Sequence, residues 1–433
     1  MRSFRRLAVA AGIAASLALT GCGVGDSAGN DGGSDKDAAA GKITGKISFQ
    51  TWNLKAGFQD YFTTLIKDFE KQHPGAEVKW IDQPADGYAD KLSADAAGNT
   101  LPDVVNLDRT TGSPLADAGL LLNLDEADPK AGDAFLKGAW DGSYWKEAGG
   151  HFSYPWYLNT GPSLFNTALF EKAGLDPKKL PKTQDELLDQ AMTMAKKSHG
   201  KYRMLGLLPG TEMMAKYGIE VMNKDQTAFT FNNAEGVKFI ERYAELYKAG
   251  AIVPEALSTD YTGEMKSFQT GQLAYMDGGS YAIKNLKENA PKVYKTLKYT
   301  PQIANTAATM FPQNVAVSKS AKNKATAIAF ARFVTNADNQ LSFAKAAEVL
   351  PSTQGSLEDE RFHTSDGSDL ENVRVISATQ LPKAVVYNWP GATEALKTEM
   401  REEIAQAFLG KKSVQDALDA AVAFGNKQLQ AKK

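Results

Sequence analysis

Few side chains in this sequence are spaced for bond-making chemistry or for holding a metal ion. The segment GDSAG (25–29) matches the G-x-S-x-G pattern, but that pattern needs a strand before it and a helix after it, which its Gly, Asp, Ser and Ala neighbours cannot form. The acidic segment SDGSDLEN (365–372) lacks the ligand spacing of an EF-hand. The histidines have no zinc-ligand spacing; they are His73, His151, His199 and His363. We therefore expect no catalytic centre, no metal and no cofactor.

The one cysteine, Cys22, stands at a position with chemical meaning. It follows a basic stretch with three arginines and an apolar run over residues 7–19, which together are typical of a secretory signal peptide. The run is too short to stay in a bilayer as a transmembrane helix. The residues LTGC (19–22) resemble the lipobox of bacterial lipoproteins, which implies that the Cys22 thiol is acylated. We therefore assign residues 1–22 to a lipoprotein signal peptide; the alternative is an ordinary signal with a chance cysteine.

The composition narrows the class of protein. The chain has 433 residues, of which 43% are hydrophobic and 23% are charged, as in ordinary globular proteins. Losing the three N-terminal arginines changes the formal net charge from −2 to −5, which argues against a nucleic-acid partner. Once Cys22 is acylated, no cysteine remains for a disulfide. About 390 folded residues exceed what one hydrophobic core usually serves, so we expect two lobes.

Polar and aromatic residues stand at the ends of the predicted strands. Apolar patterns predict strands over 46–52, 77–81 and 102–108, and helical spacing predicts helices over 61–73 and 88–97. Strand, helix, strand, helix, strand is typical of an α/β layer with a parallel sheet. Ligands of such sheets bind at the carboxyl ends of the strands. The side chains at those ends are Trp52, Asn53, Gln83, Asp108 and Arg109.

The rest of the chain divides into a polar leader and further regular elements. Residues 23–45 are mostly Gly, Asp, Ser, Ala and Lys, which predicts a flexible linker. Thr183, with Glu186 three residues later, predicts a helix start. Helices are predicted over 183–197, 233–249, 323–335, 394–409 and 413–430, and a strand over 313–317.

Seven motifs, in order along the chain, carry a family resemblance. They are FEKQHPG (69–75), AGNTLPDVV (97–105), GLLLNL (119–124), YPWY (154–157), FNTALFEKAGL (165–175), GQLAYMDGGSY (271–281) and KNKATAIAFARFVT (322–335). Together they resemble the carbohydrate-binding lipoproteins of ABC importers, a cluster of extracellular solute-binding proteins similar to maltose-binding protein. The resemblance implies a two-lobed periplasmic-binding-protein-like α/β fold with a hinge and a ligand cleft between the lobes. It places lobe one at 46–154 plus 300–350 and lobe two at 158–299 plus 351–433.

The resemblance also implies which residues contact the ligand. Pyranose faces stack on aromatic rings, and sugar hydroxyls pair with planar polar side chains. Tyr281 and Trp389 match stacking positions, and Asp108 matches a hydroxyl-binding acid. The candidate residues are Trp52, Asn53, Asp108, Arg109, Trp156, Tyr157, Asp277, Gly279, Ser280, Tyr281, Asn314 and Trp389, with Asn159, Gln83 and Tyr88 as weaker candidates. The alternatives are core packing for Trp52, a strand-end cap for Asp108 and hinge packing for one of Trp156 and Tyr157.

The sequence is compatible with three functions. The first is a lipid-anchored receptor on the outer face of the cytoplasmic membrane. It would be a monomer that binds a mono- or oligosaccharide and delivers it to ABC permease subunits. The second is the same fold binding a polyamine, a phosphate ester or a peptide, since aromatic cages also hold cations. The third is a secreted hydrolase with paired carboxylates. No catalytic family pattern supports the third, so the sequence favours a binding protein and not an enzyme.

Overall fold

The computed structural model describes residues 35–36, 38–258 and 263–431. The predicted signal peptide with Cys22, and most of the predicted linker, lie outside these residues. Among the helices that the structure describes, none combines the length and apolar character needed to cross a bilayer.

Strands and helices alternate along the chain. The strands are β1 (Gly45–Trp52), β2 (Ala76–Gln83), β3 (Val104–Leu107), β4 (Tyr144–Trp145), β5 (Gly150–His151), β6 (Tyr154–Asn159), β7 (Ser163–Asn166), β8 (Tyr275–Asp277), β9 (Leu297–Thr300), β10 (Phe311–Val317) and β11 (Leu350–Pro351). The α-helices are α1 (Lys55–Gln72), α2 (Tyr88–Ala97), α3 (Arg109–Asp117), α4 (Leu124–Ala127), α5 (Lys137–Gly142), α6 (Thr167–Lys172), α7 (Gln184–Ser198), α8 (Thr211–Tyr217), α9 (Ala234–Lys248), α10 (Glu264–Gln269), α11 (Ser280–Asn289), α12 (Pro291–Tyr294), α13 (Lys324–Val334), α14 (Ala337–Ala347), α15 (Gln354–Leu357), α16 (Asp369–Gln380), α17 (Glu394–Phe408) and α18 (Val414–Ala431).

Lobe one is built on a six-stranded mixed sheet with the order β11-β6-β10-β3-β1-β2. Strand β1 pairs in parallel with β2 and β3, whereas β10 is antiparallel to β3 and β6. Helices α1 and α13 cover one face, where Phe49 packs on Phe62 and Phe330 with ring centroids 6.2 and 5.2 Å away. The carboxyl ends of β1, β2, β3 and β6 and the start of β10 therefore meet at one edge of the sheet.

Lobe two is built on the three-stranded antiparallel sheet β8-β7-β9. Its core is almost wholly helical, with Leu188 of α7, Ile240 of α9 and Leu418 of α18 buried in one cluster with Phe165 of β7. Helix α7 begins within one residue of its predicted start. Thr183 caps α7 by accepting a hydrogen bond from the Glu186 amide at 3.2 Å, which holds one of the free N–H groups of the first turn.

The segments that join the lobes run side by side. Gln302 connects three of them: its side-chain amide donates to the Gly161 carbonyl, its side-chain oxygen accepts from Thr309, and its own N–H donates to Gln380. A Cβ atom on Gly161 would lie 2.4 Å from the carbonyl carbon of Gly278, so only glycine fits at that crossing. A mixed cluster that includes Leu158, Met310, Leu381 and Leu350 packs beside these segments.

The predicted fold class is confirmed, and the predicted elements are present with small shifts at their ends. The helix predicted to start at residue 61 begins at Lys55, because Leu54 starts it without a side-chain cap that the sequence would reveal. The strand predicted from residue 313 begins at Phe311. The residue boundaries that were predicted for the two lobes stay a prediction.

Candidate functional site

A cleft of about 390 Å³ lies at the carboxyl edge of the six-stranded sheet. Lobe one contributes the end of β3, the start of β10 and Glu147 from the loop between β4 and β5. Lobe two contributes the start of α8 and the segment that leads into α17. The main charged and aromatic residues of its lining are Asp108, Arg109, Glu147, Glu212, Phe311, Tyr387, Trp389, Glu394 and Lys397.

Asp108 uses one carboxylate oxygen to cap a helix, and its other oxygen is available to accept a hydrogen bond. It is the N-cap of α3, and its Oδ1 accepts hydrogen bonds from the Thr111 amide at 2.8 Å and the Thr111 hydroxyl at 2.9 Å. The cap fixes the side chain, and Oδ2 has no hydrogen bond within the described part of the chain. A carboxylate that is held at one oxygen and open at the other suits acceptance of a ligand hydroxyl.

Arg109 is held by contacts within lobe one. Its Nη2 donates to Glu147 Oε2 at 3.0 Å, and its Nη1 donates to the Tyr144 carbonyl at 3.2 Å. Burial lowers the pKa of the Arg109 guanidinium, and the neighbouring Glu147 carboxylate opposes that change. An arginine stays protonated under such shifts, so the pair remains ionic.

Glu147 contacts both lobes. While its Oε2 holds Arg109, its Oε1 accepts a hydrogen bond from the Gly391 amide at 3.1 Å. Gly391 belongs to lobe two, since a Cβ atom there would meet Leu429 at 2.6 Å. Next to Glu147, the Lys146 ammonium donates to the Asp225 carbonyl, which also lies in lobe two. One wall of the cleft is therefore closed by polar contacts between the lobes.

Aromatic rings also line the cleft. Tyr387 and Trp389 lie with their ring centroids 6.1 Å apart and their planes 16° from parallel. The Tyr387 hydroxyl donates to the Ala307 carbonyl at 3.0 Å, which ties this pair to the crossing segments. Phe311 is 51% exposed at the start of β10. Exposed rings of this kind offer flat apolar faces to a sugar ring.

A second cavity of about 510 Å³ lies on the other side of Phe311, which lines both spaces. Tyr281, near the start of α11, is 75% exposed there, and Gly279, Ser280 and Asn159 also line it. A Cβ atom on Gly279 would lie 2.8 Å from the Thr160 carbonyl oxygen. The glycine thus accommodates the crossing strand, whereas the sequence suggested close approach to a ligand.

Asp277 reaches the second cavity, but it already has several partners. Its Oδ2 accepts from Lys216 at 3.0 Å, and its Oδ1 accepts from the hydroxyls of Ser163 and Tyr275 at 2.7 and 2.9 Å. The Lys216 side chain is only 6% exposed. Burial and the nearby Asp277 carboxylate raise the pKa of Glu264 to about 8, against the opposing charge of Lys216. These groups form a polar cluster around Asp277.

Five of the twelve main candidates line neither cavity. Trp156 is fully buried in the lobe-one core against Phe49, Phe62 and Phe343. Tyr157 packs on Phe343, and burial raises its pKa to about 12, while a hydrogen bond with Trp52 opposes that shift. The others are Trp52, which packs on Tyr88 with centroids 5.4 Å apart; Asn53, which donates to the Gln83 carbonyl at 2.8 Å; and Asn314, which is 2% exposed.

Seven of the twelve main candidates, together with the weaker candidate Asn159, therefore line the two cavities. The seven are Asp108, Arg109 and Trp389 in the first, and Asp277, Gly279, Ser280 and Tyr281 in the second. Gln83 and Tyr88 line neither. Whether these residues bind a ligand stays a prediction. Within the described residues, no group of His, Cys, Asp and Glu side chains is arranged to hold a metal ion.

Sequence reasoning missed Glu147, Glu212, Phe311 and Tyr387. Phe311 stands two positions before the predicted strand, so extending the strand would have found it. Tyr387 lies two residues before the predicted Trp389, where an aromatic pair was a usable signal. Glu147 gives no such signal, because it lies in a short loop and reaches the cleft only through the packing of β4 and β5.

The sequence of the chain is similar to those of known proteins. Residues 55–341 match the family described as bacterial extracellular solute-binding protein. The chain is 24% identical over 402 residues to the sn-glycerol-3-phosphate-binding periplasmic protein UgpB of Pectobacterium atrosepticum, covering 84% of this chain and 86% of that protein.

Solved structures share the fold. A protein of Synechococcus sp. MITs9220, assigned to periplasmic oligosaccharide binding, aligns with a TM-score of 0.80 and 27% identity over 89% of this chain and 99% of its own. The cyclic alpha-maltosyl-1,6-maltose binding protein of Arthrobacter globiformis aligns with a TM-score of 0.71 and 20% identity, over 90% of this chain and 100% of its own.

Proposed function

Because the chain belongs to the bacterial extracellular solute-binding protein family, we propose that it captures a mono- or oligosaccharide between its two lobes and delivers it to the permease of an ABC importer. The family consists of proteins that bind solutes, so the chain is a binding protein and not an enzyme. The observation that supports the sugar assignment is the presence of aromatic rings in both cavities: Trp389 and Phe311 line the first, and Phe311 and Tyr281 line the second.

These rings and their polar neighbours match the two surfaces of a pyranose. The exposed faces of Phe311 and Tyr281, at 51% and 75%, would stack on the apolar C–H faces of sugar rings. The open Oδ2 of Asp108 would accept a hydrogen bond from a sugar hydroxyl. The two cavities on either side of Phe311 give room for more than one sugar unit.

A phosphate ester is the second candidate, because related proteins are named for binding sn-glycerol-3-phosphate. The ion pairs in the cleft argue against binding of a phosphate ester. Both cations in the lining of the first cavity, Arg109 and Lys397, already face carboxylates, at 3.0 Å for Glu147 and 2.6 Å for Glu394. A phosphate binds most strongly where cationic donors are free to form charge-assisted hydrogen bonds with it.

Binding would act through lobe closure. A solute that touches Asp108 of lobe one and Trp389 of lobe two makes both sets of contacts only when the lobes are together. Its differential affinity for the closed state then shifts the population toward closure. The permease would read the closed form, and its ATPase would supply the energy.

The anchor is proposed from the sequence alone. Acylation of Cys22 would hold the protein on the outer face of the cytoplasmic membrane, with residues 23–45 as a spacer. This proposal agrees with the extracellular character of the family.

A thermal-shift screen of the full chain tests the proposed function. The panel contains mono- and oligosaccharides, with sn-glycerol-3-phosphate, polyamines and amino acids as the alternatives. A ligand at about 100 times its Kd should stabilise the fold by about 2.7 kcal/mol. A rise of Tm with one group of saccharides, lost in Trp389→Ala and Tyr281→Ala, supports the proposal. A rise with sn-glycerol-3-phosphate alone would favour the phosphate ester.

A further inference from the structure

The two ion pairs of the cleft differ in their surroundings. The side chains of Arg109 and Glu147 are only 17% and 14% exposed, whereas those of Lys397 and Glu394 are 48% and 66% exposed. Water and salt screen the second pair, so its charges have a weak effect on a bound solute. The Arg109–Glu147 pair is the one whose charges act in a partly dry space.

The carboxyl groups around this pair set the sign of the local charge. Asp108, Glu147, Glu212 and Glu394 line the cleft together with the cations Arg109 and Lys397. Burial raises the pKa of Glu212, and the nearby Lys216 opposes that shift. Four carboxyl groups and two cations therefore line the cleft, so it has no excess positive charge.

Glu147 does two things that no other described side chain of the cleft combines. Its Oε2 neutralises Arg109 at 3.0 Å, and its Oε1 accepts from the Gly391 amide at 3.1 Å. Gly391 lies two residues after Trp389. The Glu147 carboxylate therefore neutralises the charge of Arg109 and also holds the segment that carries Trp389, a candidate stacking residue.

We propose that Glu147 is a specificity-determining residue that makes the cleft accept neutral saccharides and reject anionic solutes. This inference rests on the proposed function of the cleft. An anionic solute would have to displace Glu147 from Arg109 and leave the carboxylate unpaired in a partly buried site, which is costly. Rejection of the wrong partner by such an unpaired charge is a general source of specificity. A neutral saccharide leaves the pair intact.

The variant Glu147→Gln removes the charge of this side chain but keeps its shape, and therefore tests the inference. In Glu147→Gln the side-chain oxygen can still accept from Gly391, but Arg109 loses its counter-charge. The full chain is titrated by calorimetry with sn-glycerol-3-phosphate and glucose 6-phosphate, and with glycerol and glucose as neutral counterparts. We expect the variant to bind at least one of the two anionic probes about tenfold or more tightly than the wild type, with no gain for the neutral counterparts.

Two further variants separate this effect from a change in folding or in total charge. Arg109→Gln together with Glu147→Gln removes both charges and should lose the gain in anion binding. Glu403→Gln breaks a partly buried ion pair with Lys412 outside the cleft, where the side chains are 17% and 32% exposed, and should gain nothing. Circular dichroism and Tm confirm that each variant is folded; if Glu147→Gln is not, Glu147→Asp replaces it and should show no gain.

The results of this experiment can be told apart from those of the thermal-shift screen that tests the proposed function. Wild-type protein that binds the anionic probes as tightly as Glu147→Gln overturns the inference, as does a gain that persists in the double variant. If no saccharide stabilises the wild type but Glu147→Gln still gains anion binding, the sugar assignment fails and the selectivity role of Glu147 stands.

Discussion

Phe311 is the residue that best shows how the cleft is organised. It begins β10, is 51% exposed and lines both cavities. An aromatic ring that is exposed at the start of a strand adds little to the stability of the fold. We therefore expect its role to be contact with a bound solute. Phe311 lines the first cavity together with Trp389 and the second together with Tyr281.

Phe311→Ala should therefore weaken ligand binding more than it weakens the fold. We expect a loss of roughly 3- to 10-fold in affinity for the saccharide that stabilises the wild type, from the lost stacking face. Titration calorimetry measures it. Leu409→Ala is the matched control, because Leu409 is 50% exposed but lies outside both cavities. Equal affinities in the wild type and Phe311→Ala would exclude the ring from the binding surface.

The buried carboxyl of Glu264 predicts a dependence of stability on pH. Its pKa is about 8 in the folded protein, against an ordinary value of 4.5. Between these values the unfolded chain releases a proton that the folded chain keeps, so the free energy of unfolding falls as pH rises. The slope from this group is at most about 1.4 kcal/mol per pH unit.

Urea unfolding at several pH values between about 4.5 and 8 measures that slope. Glu264→Gln, which cannot ionise, should flatten the decline over this window. An identical decline in the variant would show that Glu264 ionises normally and that other groups cause it.

At the scale of elements, the sequence predicted the regular parts better than the cleft. Strands β1 to β3 and helices α7, α9, α17 and α18 follow from periodicity and caps such as Thr183, which act locally. The burial of Trp156 does not follow, because its place in the core depends on Phe343, 187 positions later in the chain. Glu147 was missed for the same reason, since its partner Gly391 comes from a distant segment.

The crossing segments depend on a glycine that the fold requires. In Gly161→Ala the new Cβ would lie 2.4 Å from the Gly278 carbonyl carbon. The nearest atoms all belong to the backbone of Gly278 and Gly279, so the two segments must move apart. We expect a loss of about 1–3 kcal/mol in the free energy of unfolding. Urea unfolding measures it.

Gly57→Ala is the control for that change. No atom lies within 4 Å of a Cβ at Gly57, and alanine favours the helix by up to about 1 kcal/mol. It should therefore be neutral or stabilising. If the two variants are equally stable, the crossing segments are not tightly packed at Gly161.

At the scale of the whole molecule, the proposed lipid anchor on Cys22 would decide where the protein works. Cys22→Ala removes the thiol that would carry the acyl group. In a bacterial host we expect the variant to be released or to remain unprocessed, whereas Ser27→Ala in the linker should stay with the membrane. Fractionation and mass spectrometry of the N-terminus measure this. A processed Cys22→Ala protein that remains in the membrane would contradict the anchor.

The lobes and the cleft act together in the central claim, which is capture of a saccharide between them. The most direct measurement is a calorimetric titration of the full chain with the saccharide that raises its Tm and, in parallel, with sn-glycerol-3-phosphate. The account predicts saturable binding of the saccharide with one site per chain, a clear loss of affinity in Trp389→Ala, and no heat of binding from sn-glycerol-3-phosphate. Saturable binding of sn-glycerol-3-phosphate with none of any saccharide would contradict it.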